Sequence, residues 1–269
     1  MSSPLIFGSG LSSHKSFEGL RPVCKVAMEH NITQFDTAPS YKTEAVLSKS
    51  IKTCAAELGL NRSDYTIQTK IDPIQMFNGR IEQYFEGKLK EMQLEYVDNL
   101  LIHWPLEKYL YKTWEELLKL KSRGLTQKIG ICNLRIRHLN RLKERGIIPE
   151  ILQIERHPLN TFMREVEWCK SNDVAIQDYS PLCKMHPAIK ENEALNTLSK
   201  KYNKDIGQII LRWHLDTGAS PIFTSKNIER IKLYSQLSDF NLSAEDLEII
   251  SLLNCNHKLY LESFICPGF

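Results

Sequence analysis

The sequence predicts a single-domain α/β protein that folds as a (β/α)8 barrel, the TIM-barrel fold. Short apolar segments alternate eight times with longer amphipathic ones along the 269 residues. The short segments are apolar throughout rather than at every second position, which is typical of parallel strands buried on both faces. A closed barrel accommodates eight such units economically. A doubly wound open sheet stays as the alternative, because the number of units does not separate the two folds.

The predicted elements follow one another with short connections. The strands are Leu5–Phe7, Ile32–Phe35, Tyr65–Thr69, Tyr96–His103, Lys128–Ile131, Ile151–Ile154, Val174–Gln177 and Ser220–Phe223. The helices are Ser16–His30, Glu44–Leu58, Asn78–Met92, Trp114–Ser122, Ile136–Glu144, Phe162–Ser171, Glu191–Tyr202, Asp205–Asp216, one from near Asn227 and one from Ser243 to Leu253. No linker or change of composition divides the chain, so we predict one domain over residues 1–269.

Composition excludes several classes of function. With 35 basic and 32 acidic residues the net charge is +3, too small to indicate a nucleic-acid or membrane-surface partner. No segment approaches the roughly 20 apolar residues of a membrane span, and Met1–Pro4 does not open a signal peptide. The seven cysteines contain no C-x-x-C pair, which is typical of a reduced protein without structural zinc. We therefore expect a cytoplasmic protein, monomeric and without bound metal.

The segment from Phe35 to Glu44 brings an acid and a tyrosine to the end of the second predicted strand. Asp36 ends the strand, and Tyr41 follows five positions later in a turn that contains Pro39. Taken alone, the segment is more simply interpreted as a turn capped by Asp36 with a half-buried aromatic residue.

Polar residues also follow the other predicted strands. Lys70 ends the third strand, 34 positions after Asp36. His103 ends the fourth strand, 33 positions after Lys70. Because the carboxyl ends of barrel strands meet at one mouth, these residues are expected to form a ring there. Later strand ends add Cys132, Asn133, Gln153, Glu155, Asp178, Tyr179, Ser180, Thr224, Ser225 and Arg230.

The residue types of this ring suit proton delivery to a carbonyl. A tyrosine has a pKa near about 10, a neighbouring lysine lowers it, and an aspartate holds the lysine in place. Tyr41, Lys70 and Asp36 would then form a general acid, and a neutral His103 would hydrogen-bond and orient the carbonyl. No nucleophilic serine motif, H-E-x-x-H motif or metal-ligand spacing accompanies them. An acid without nucleophile or metal favours carbonyl reduction with hydride from a cofactor.

At these residues the sequence resembles the aldo-keto reductase family. The resemblance runs in order through most of the chain, and Cys266-Pro267-Gly268-Phe269 resembles the end of shorter bacterial-type members. Its segments are Phe35-Asp36-Thr37-Ala38 with Tyr41 and Glu44, Gln68-Thr69-Lys70, Leu101-Ile102-His103-Trp104-Pro105, Ile129-Gly130-Ile131-Cys132-Asn133, Gln153-Ile154-Glu155-Arg156-His157-Pro158, Asp178-Tyr179-Ser180-Pro181-Leu182, and Ser225 with Glu229-Arg230-Ile231.

The resemblance implies an NADP(H)-dependent barrel enzyme in which Asp36, Tyr41, Lys70 and His103 are the catalytic tetrad. It also implies the cofactor contacts: Asn133 and Gln153 for the nicotinamide carboxamide, Tyr179 for the nicotinamide ring, Ser180 and Leu182 for the pyrophosphate, and Ser225 and Arg230 for the adenosine phosphate.

The chain departs from the family pattern at four positions. Cys132 replaces a serine, Thr224 replaces a lysine that pairs with the 2′-phosphate, and Leu233 and Tyr234 replace a glutamate and an asparagine. Lys226 is expected to substitute for the missing lysine, so NADPH is favoured and NADH stays possible.

The substrate is expected to be a small carbonyl compound in an open pocket, because the N-terminal hairpin and the long C-terminal loop of larger members look short or absent. Its expected walls are Trp104, Phe77, Tyr109 and Phe264. Two other classes of function stay open. One is a non-catalytic NADP(H)-binding barrel that serves as a regulatory or partner subunit, and the other is a metal-dependent hydrolase that uses Asp36 and His103.

Overall fold

A computed structural model describes residues 5–260 and shows a closed barrel of eight parallel strands. Each strand pairs with the next along the chain, and the last pairs with the first. The predicted barrel is confirmed, and the open doubly wound sheet is excluded. The strands are β1 (Ile6–Gly8), β2 (Gln34–Asp36), β3 (Thr66–Ile71), β4 (Val97–Ile102), β5 (Thr126–Cys132), β6 (Ile151–Glu155), β7 (Ala175–Tyr179) and β8 (Ala219–Phe223).

Strand β1 closes the barrel because it is paired on both sides. Phe7 lies opposite Phe35 of β2 and opposite Phe223 of β8, and closure leaves no unpaired sheet edge. On β5, a Cβ atom at Gly130 would lie 2.4 Å from the carbonyl oxygen of Ile151. Only glycine therefore allows β5 and β6 to approach this closely.

Twelve helices of the described chain surround the barrel. They are α1 (Phe17–Glu29), α2 (Glu44–Leu58), α3 (Pro73–Asn78), α4 (Ile81–Met92), α5 (Glu107–Ser122), α6 (Ile136–Glu144), α7 (Met163–Ser171), α8 (Pro187–Lys190), α9 (Glu193–Tyr202), α10 (Ile206–Asp216), α11 (Ile228–Ser235) and α12 (Ala244–Ser251). The last helix is capped by Ser243, whose hydroxyl accepts the Asp246 N–H at 3.3 Å.

The structure adds two short helices that the sequence does not predict, and it moves the start of α4 from Asn78 to Ile81 and the start of α5 by about two turns. The short helices α3 and α8 carry too few apolar positions to show a helical period, and each begins instead with a proline at its first turn. Helix α5 begins at Glu107, about two turns before the predicted start at Trp114. Leu110 and Thr113 in its early turns are buried, so this part of the helix depends on tertiary packing.

The main apolar core lies between the barrel and its helices, and a second cluster packs around Trp213 beneath α9, α10 and α12. This packing fixes the barrel and leaves its mouth to polar residues. None of the helices in residues 5–260 has both the length and the apolar content that a membrane crossing requires.

Candidate active site

The barrel brings the four residues of the expected tetrad to one mouth. Asp36 is the last residue of β2, Lys70 lies one residue before the end of β3, and His103 directly follows β4. The register places Asp36 beside Gln68 and Ile71 beside Ile102. The ring inferred from strand ends is therefore present in the folded chain.

Lys70 and Asp36 form a buried ion pair. The Lys70 Nζ donates to both carboxylate oxygens, at 2.8 and 2.7 Å, and to the carbonyl oxygen of Thr37 at 2.9 Å. Lys70 and Asp36 are only 1% and 3% exposed. Burial alone would lower the pKa of Lys70, but the Asp36 carboxylate raises it above its usual value. Lys70 is therefore a buried ammonium that is fixed in place by Asp36 and Thr37.

A network of side-chain amides supports Asp36 from inside the barrel. Gln68 donates from Nε2 to Asp36 Oδ2 at 2.7 Å, and Gln153 donates to the same oxygen at 3.2 Å. Gln177 joins both, since its Oε1 accepts from Gln68 at 2.9 Å and from Gln153 at 3.0 Å. The barrel axis is thus polar beneath the ion pair, and every buried amide in this group has a partner. Gln153, expected to contact a carboxamide, here orients Asp36.

Tyr41 lies above the ion pair at the end of a short 3-10 turn, Pro39–Tyr41. The Lys70 Nζ is 5.1 Å from the centre of its ring, and the His103 ring meets it edge-on at 5.7 Å. Burial raises the pKa of Tyr41 to about 12, although the Lys70 ammonium acts to lower it. The net lowering expected from the sequence is therefore wrong, because the loss of solvent outweighs the lysine. Lys70 limits the rise.

His103 is held by Asp72, a residue that none of the expected motifs includes. The Nδ1 of His103 hydrogen-bonds Asp72 Oδ1, and Oδ2 of the same carboxylate accepts the backbone N–H of Ser40 at 2.7 Å. Burial lowers the pKa of His103 and outweighs the opposing effect of Asp72. Burial alone would raise the pKa of Asp72, but its bonds to His103 and Ser40 bring it below the usual range. The pair therefore favours a neutral imidazole beside an ionised carboxylate.

A cavity of about 1210 Å³ begins at Asp36 and Tyr41 and extends to α11. Its described lining includes five of the residues expected to bind the cofactor: Tyr179, Ser180, Leu182, Thr224 and Arg230. The other four lie outside that lining. Asn133 and Gln153 lie in the barrel mouth, Ser225 is buried, and Lys226 is exposed on the surface.

The far end of the cavity is the first turn of α11. The Ser225 hydroxyl accepts the Asn227 N–H at 3.0 Å, and the Asn227 side chain accepts the Arg230 N–H at 3.1 Å. These bonds cap the helix, whose N-terminus favours anions. The exposed guanidinium of Arg230 adds a fork suited to a phosphate. Tyr234 packs here against Gly207, where a Cβ atom would lie 2.4 Å from its hydroxyl oxygen.

A C-terminal segment crosses the mouth near Tyr179. The Glu155 carboxylate accepts the backbone N–H groups of Leu259 at 2.6 Å and Tyr260 at 3.1 Å. The Tyr260 ring then meets the Tyr179 ring at 5.7 Å and lines the cavity. The Tyr179 hydroxyl donates to Asn133 Oδ1 at 2.8 Å. Two residues expected to bind nicotinamide are thus already joined to each other.

Sequence reasoning missed several residues of the site. Asp72 carries a local signal, because Asp-Pro before a helix is a capping pattern, but its contact with His103 is tertiary. Gln68 belongs to one of the sequence motifs, but the motif predicts no role for it. Tyr260, Lys184 and Lys190, which also line the cavity, had no signal in the sequence.

The expected substrate walls have mixed outcomes. Phe77 is 64% exposed and lies edge-on to Tyr109 with the ring centres 5.9 Å apart. Trp104 is half-buried beside His103, 6.1 Å between ring centres. Phe264 and the Cys266–Phe269 motif lie outside the described residues. Phe77, Tyr109 and Trp104 therefore remain candidates for the rim.

Comparison with known proteins identifies the family. The model of the aldo/keto reductase family matches residues 4–254. Methylglyoxal reductase DkgA of Yersinia pestis is 37% identical over 236 residues, which cover 87% of this chain and 83% of that protein. Glyoxal reductase of Bacillus subtilis (strain 168) is 32% identical over 254 residues, which cover 94% of this chain and 90% of that protein.

Solved structures show the same fold. A Bombyx mori aldo-keto reductase in complex with NADP has a TM-score of 0.85 at 27% identity, with 97% of this chain and 92% of that one covered. An aldo/keto reductase from Brucella melitensis has a TM-score of 0.80 at 30% identity, with 93% and 95% covered. The resemblance seen in the sequence is confirmed: the chain belongs to the aldo/keto reductase family.

Proposed function

We propose that the protein reduces small aldehydes or ketones to alcohols with NADPH, and that Tyr41 supplies the proton. The observation that carries this function is the buried Lys70–Asp36 ion pair beneath the ring of Tyr41, at the inner end of a long cavity. The family match and the names of the relatives support the same reaction. A barrel that only binds a nucleotide would not need a buried ion pair beneath the Tyr41 ring.

The residues of the cavity fit a dinucleotide phosphate. Its inner end offers the Tyr179 ring, its middle the loop of Ser180 and Leu182, and its outer end Arg230 at the N-terminus of α11. An aromatic face, a polar loop and a cationic helix terminus match, in order, a nicotinamide, a pyrophosphate and an adenosine phosphate. When bound, NADPH supplies the hydride.

The side chains at the mouth then handle the proton. Because burial raises the pKa of Tyr41 to about 12, the phenol keeps its proton at neutral pH and is ready to donate it. A carbonyl oxygen that gains negative charge becomes a stronger base than phenolate, so the proton moves from Tyr41 to that oxygen. The Lys70 ammonium stabilises the phenolate that remains. Asp36 and its amide partners keep the ammonium in place.

We propose short 2-oxoaldehydes as the first substrates to test. The relatives in Yersinia pestis and Bacillus subtilis carry the names methylglyoxal reductase and glyoxal reductase. The half-buried Trp104 and the exposed Phe77 leave an open, partly apolar rim that accepts small compounds. A panel of aldehydes and ketones, each assayed by NADPH oxidation, ranks the substrates. Binding of NADPH with no turnover of any compound would favour the regulatory alternative.

We also propose a preference for NADPH over NADH, because Arg230 and the N-terminus of α11 present positive charge at the outer end of the cavity. Thr224 in the lining brings no charge, and the exposed Lys226 is two positions away. Kinetics with both coenzymes test the preference, and equal KM values would contradict it.

We further propose a monomer in the cytoplasm. The six cysteines between residues 5 and 260 are free thiols, and five of them are buried, as is usual in a reducing compartment. Light scattering measures the mass in solution, and a dimer would contradict the monomer. Fractionation of cells tests the location.

The variant Tyr41→Phe tests the proposed acid. We expect kcat to fall by about 1,000-fold, within the range of a lost general acid, while the Kd for NADPH stays within about twofold because the ring is kept. Tyr96→Phe is the matched control, since Tyr96 stacks on Arg62 before β4, away from the cavity. Fluorescence titration gives the Kd. Equal loss of binding and turnover would refute Tyr41 as the acid.

A further inference from the structure

The Asp72 carboxylate joins two parts of the active site. It is the N-cap residue of α3, where its backbone N–H donates to Gln75 Oε1 at 3.1 Å. Its Oδ2 accepts the N–H of Ser40, next to Tyr41, at 2.7 Å, and its Oδ1 meets His103 Nδ1. Asp72 is 7% exposed. One buried carboxylate therefore contacts the turn of Tyr41 and the ring of His103.

The identity of these partners decides where His103 carries its proton. An ionised carboxylate can only accept hydrogen bonds, so the contact requires a hydrogen on His103 Nδ1. A neutral imidazole has a single N–H, which leaves Nε2 with a lone pair. Among residues 5–260, the His103 ring makes its hydrogen bond through Nδ1 to Asp72 and none through Nε2. This nitrogen is the one that remains for a substrate.

A lone pair at Nε2 distinguishes the two directions of the reaction. A carbonyl oxygen accepts hydrogen bonds and donates none, so neutral His103 in this tautomer has nothing to offer it. An alcohol hydroxyl does donate, and neutral His103 can accept its hydrogen. Only the imidazolium form, with hydrogens on both nitrogens, can donate to a carbonyl oxygen while it keeps its bond to Asp72.

We propose that Asp72 is a positioning residue that fixes the His103 proton on Nδ1, so that carbonyl reduction uses the imidazolium form of His103 and alcohol oxidation uses the neutral form. This inference rests on the proposed function and leaves its chemical step unchanged: hydride goes to the carbonyl carbon, and the Tyr41 proton goes to the oxygen. His103 donates or accepts a hydrogen bond and transfers no proton.

The groups around His103 set where it titrates. Asp72 at the start of α3 and Asp36 on β2 stabilise the imidazolium, Lys70 on β3 opposes it, and burial opposes it most. Tyr41, in the turn after β2, keeps its proton because its pKa is about 12. Cys132 on β5 is a neutral thiol whose pKa burial raises. The pKa of His103 thus lies below its usual value, and reduction is expected to weaken as pH rises through it.

The variant Asp72→Asn should reverse the tautomer. The amide oxygen of the new side chain would accept the Ser40 N–H, since a backbone donor cannot change its role. The amide NH₂ would then face His103 Nδ1, which must accept, and the proton of neutral His103 would move to Nε2. Neutral His103 would become a donor to the carbonyl oxygen.

Two measurements test the inference on the full-length protein. The first is nitrogen NMR of ¹⁵N-histidine-labelled protein, with His103 assigned by its disappearance in His103→Gln. We expect the neutral wild-type ring to carry hydrogen on Nδ1 and the Asp72→Asn ring on Nε2. A wild-type Nε2–H tautomer would overturn the inference without any variant at Asp72.

The second measurement is the pH profile of kcat/KM in both directions. For wild-type reduction we expect a fall of about tenfold per pH unit above the His103 ionisation. Asp72→Asn should change by less than about twofold over the same range, and its oxidation of alcohols should weaken. Identical profiles for wild type and Asp72→Asn would refute the role of Asp72.

The control variant is Gln75→Ala, which breaks the other half of the α3 capping box without touching His103. It should keep the wild-type pH profile, whereas a flattened profile would mean that loosening of α3 explains the effect. A wild-type protein without any turnover would refute the proposed function instead, and the NMR result would still decide the tautomer.

Discussion

The barrel contains two buried ion pairs that look alike and have different surroundings. Lys70 and Asp36 meet at 2.7 Å, and Arg156 and Asp178 meet at 2.8 Å. At most 4% of any of these four side chains is exposed. In both cases the acid lies near the carboxyl end of a strand, β2 or β7.

The Arg156–Asp178 pair is completely buried among other protein groups. Arg156 also donates to the Thr161 carbonyl at 2.8 Å and to the Thr217 hydroxyl at 3.0 Å, and it lies 4.1 Å from the Trp213 ring. His214 binds the same Asp178 oxygen at 2.6 Å. Burial alone would raise the pKa of Asp178, but Arg156 and His214 bring it below its usual range. The pair fastens α10 to β7.

The Lys70 pair differs in what lies above it. A tyrosine ring and an open cavity border the Lys70–Asp36 pair, whereas the Arg156 pair has no residue in the described cavity lining. Burial and a shifted pKa are therefore poor guides to catalysis taken alone. What singles out the Lys70–Asp36 pair as the candidate for the proposed catalysis is its contact with a proton-bearing group that borders the cavity.

The largest effect is expected from Lys70→Met, which leaves the Asp36 carboxylate buried without a cation. Breaking such a pair costs about 3–5 kcal/mol of unfolding free energy, and loss of the ammonium should lower kcat by about 100-fold or more. Urea unfolding and kcat with NADPH measure both losses. A Lys70→Met variant as active as wild type would contradict the proposal that the Lys70–Asp36 pair, unlike the Arg156–Asp178 pair, serves catalysis.

The second-largest effect is expected from Arg156→Met, which leaves the Asp178 carboxylate buried without its arginine partner. The unfolding free energy should fall by a similar amount, about 3–5 kcal/mol. The activity per folded molecule should stay within about twofold of wild type, because no partner of Arg156 contacts the Tyr41 ring. Activity corrected for the folded fraction is the deciding measurement, and a large loss of kcat would show that both pairs serve catalysis.

The smallest effects are expected when one neighbour of each ion pair is replaced and the pair itself is kept. Thr217→Val removes the hydroxyl acceptor of Arg156. Gln68→Met removes a donor to Asp36 together with the hydrogen bonds that Gln68 makes to Gln177 and Asn99. Thr217→Val should cost about 1 kcal/mol of unfolding free energy, and Gln68→Met more, because the buried amides of Asn99 and Gln177 lose their acceptor. Only Gln68→Met should lower kcat. Asp36 would lose one hydrogen-bond donor and would bind the Lys70 ammonium more strongly, which would leave that ammonium less able to stabilise a Tyr41 phenolate. The comparison fails if the two variants lose activity equally.

Much of the chemistry was predictable because it follows from strand ends. Asp36, Lys70 and His103 each close or follow an apolar segment, and parallel strands must bring such positions to one mouth. The order of the motifs along the chain predicted the family and supported the barrel fold. The position of Arg230 in the cavity lining, in the first turn of α11, was also predictable, because phosphate sites after the last strands are common in barrels.

The rest depends on contacts that local sequence does not encode. Asp72 resembles an ordinary helix cap in the sequence, and only the fold shows that its Oδ1 reaches His103. The pKa of Tyr41 was expected in the wrong direction, because the lysine was visible in the sequence and the depth of burial was not. Tyr260 reaches the cavity only because Glu155 binds the backbone of a distant segment.

The amide network around Asp36 has a consequence for how the chain folds. Gln153 is 117 positions from Asp36, and Gln177 is 109 positions from Gln68. Contacts this far apart form late, because long loops must close first. Asp36 therefore gains its last donor, Gln153, only once β6 has joined the sheet, and β7 brings Gln177, which accepts from both glutamines that bind Asp36. A nascent chain that lacks them has no finished site, and cofactor affinity will report directly on the fraction of molecules whose barrel has closed.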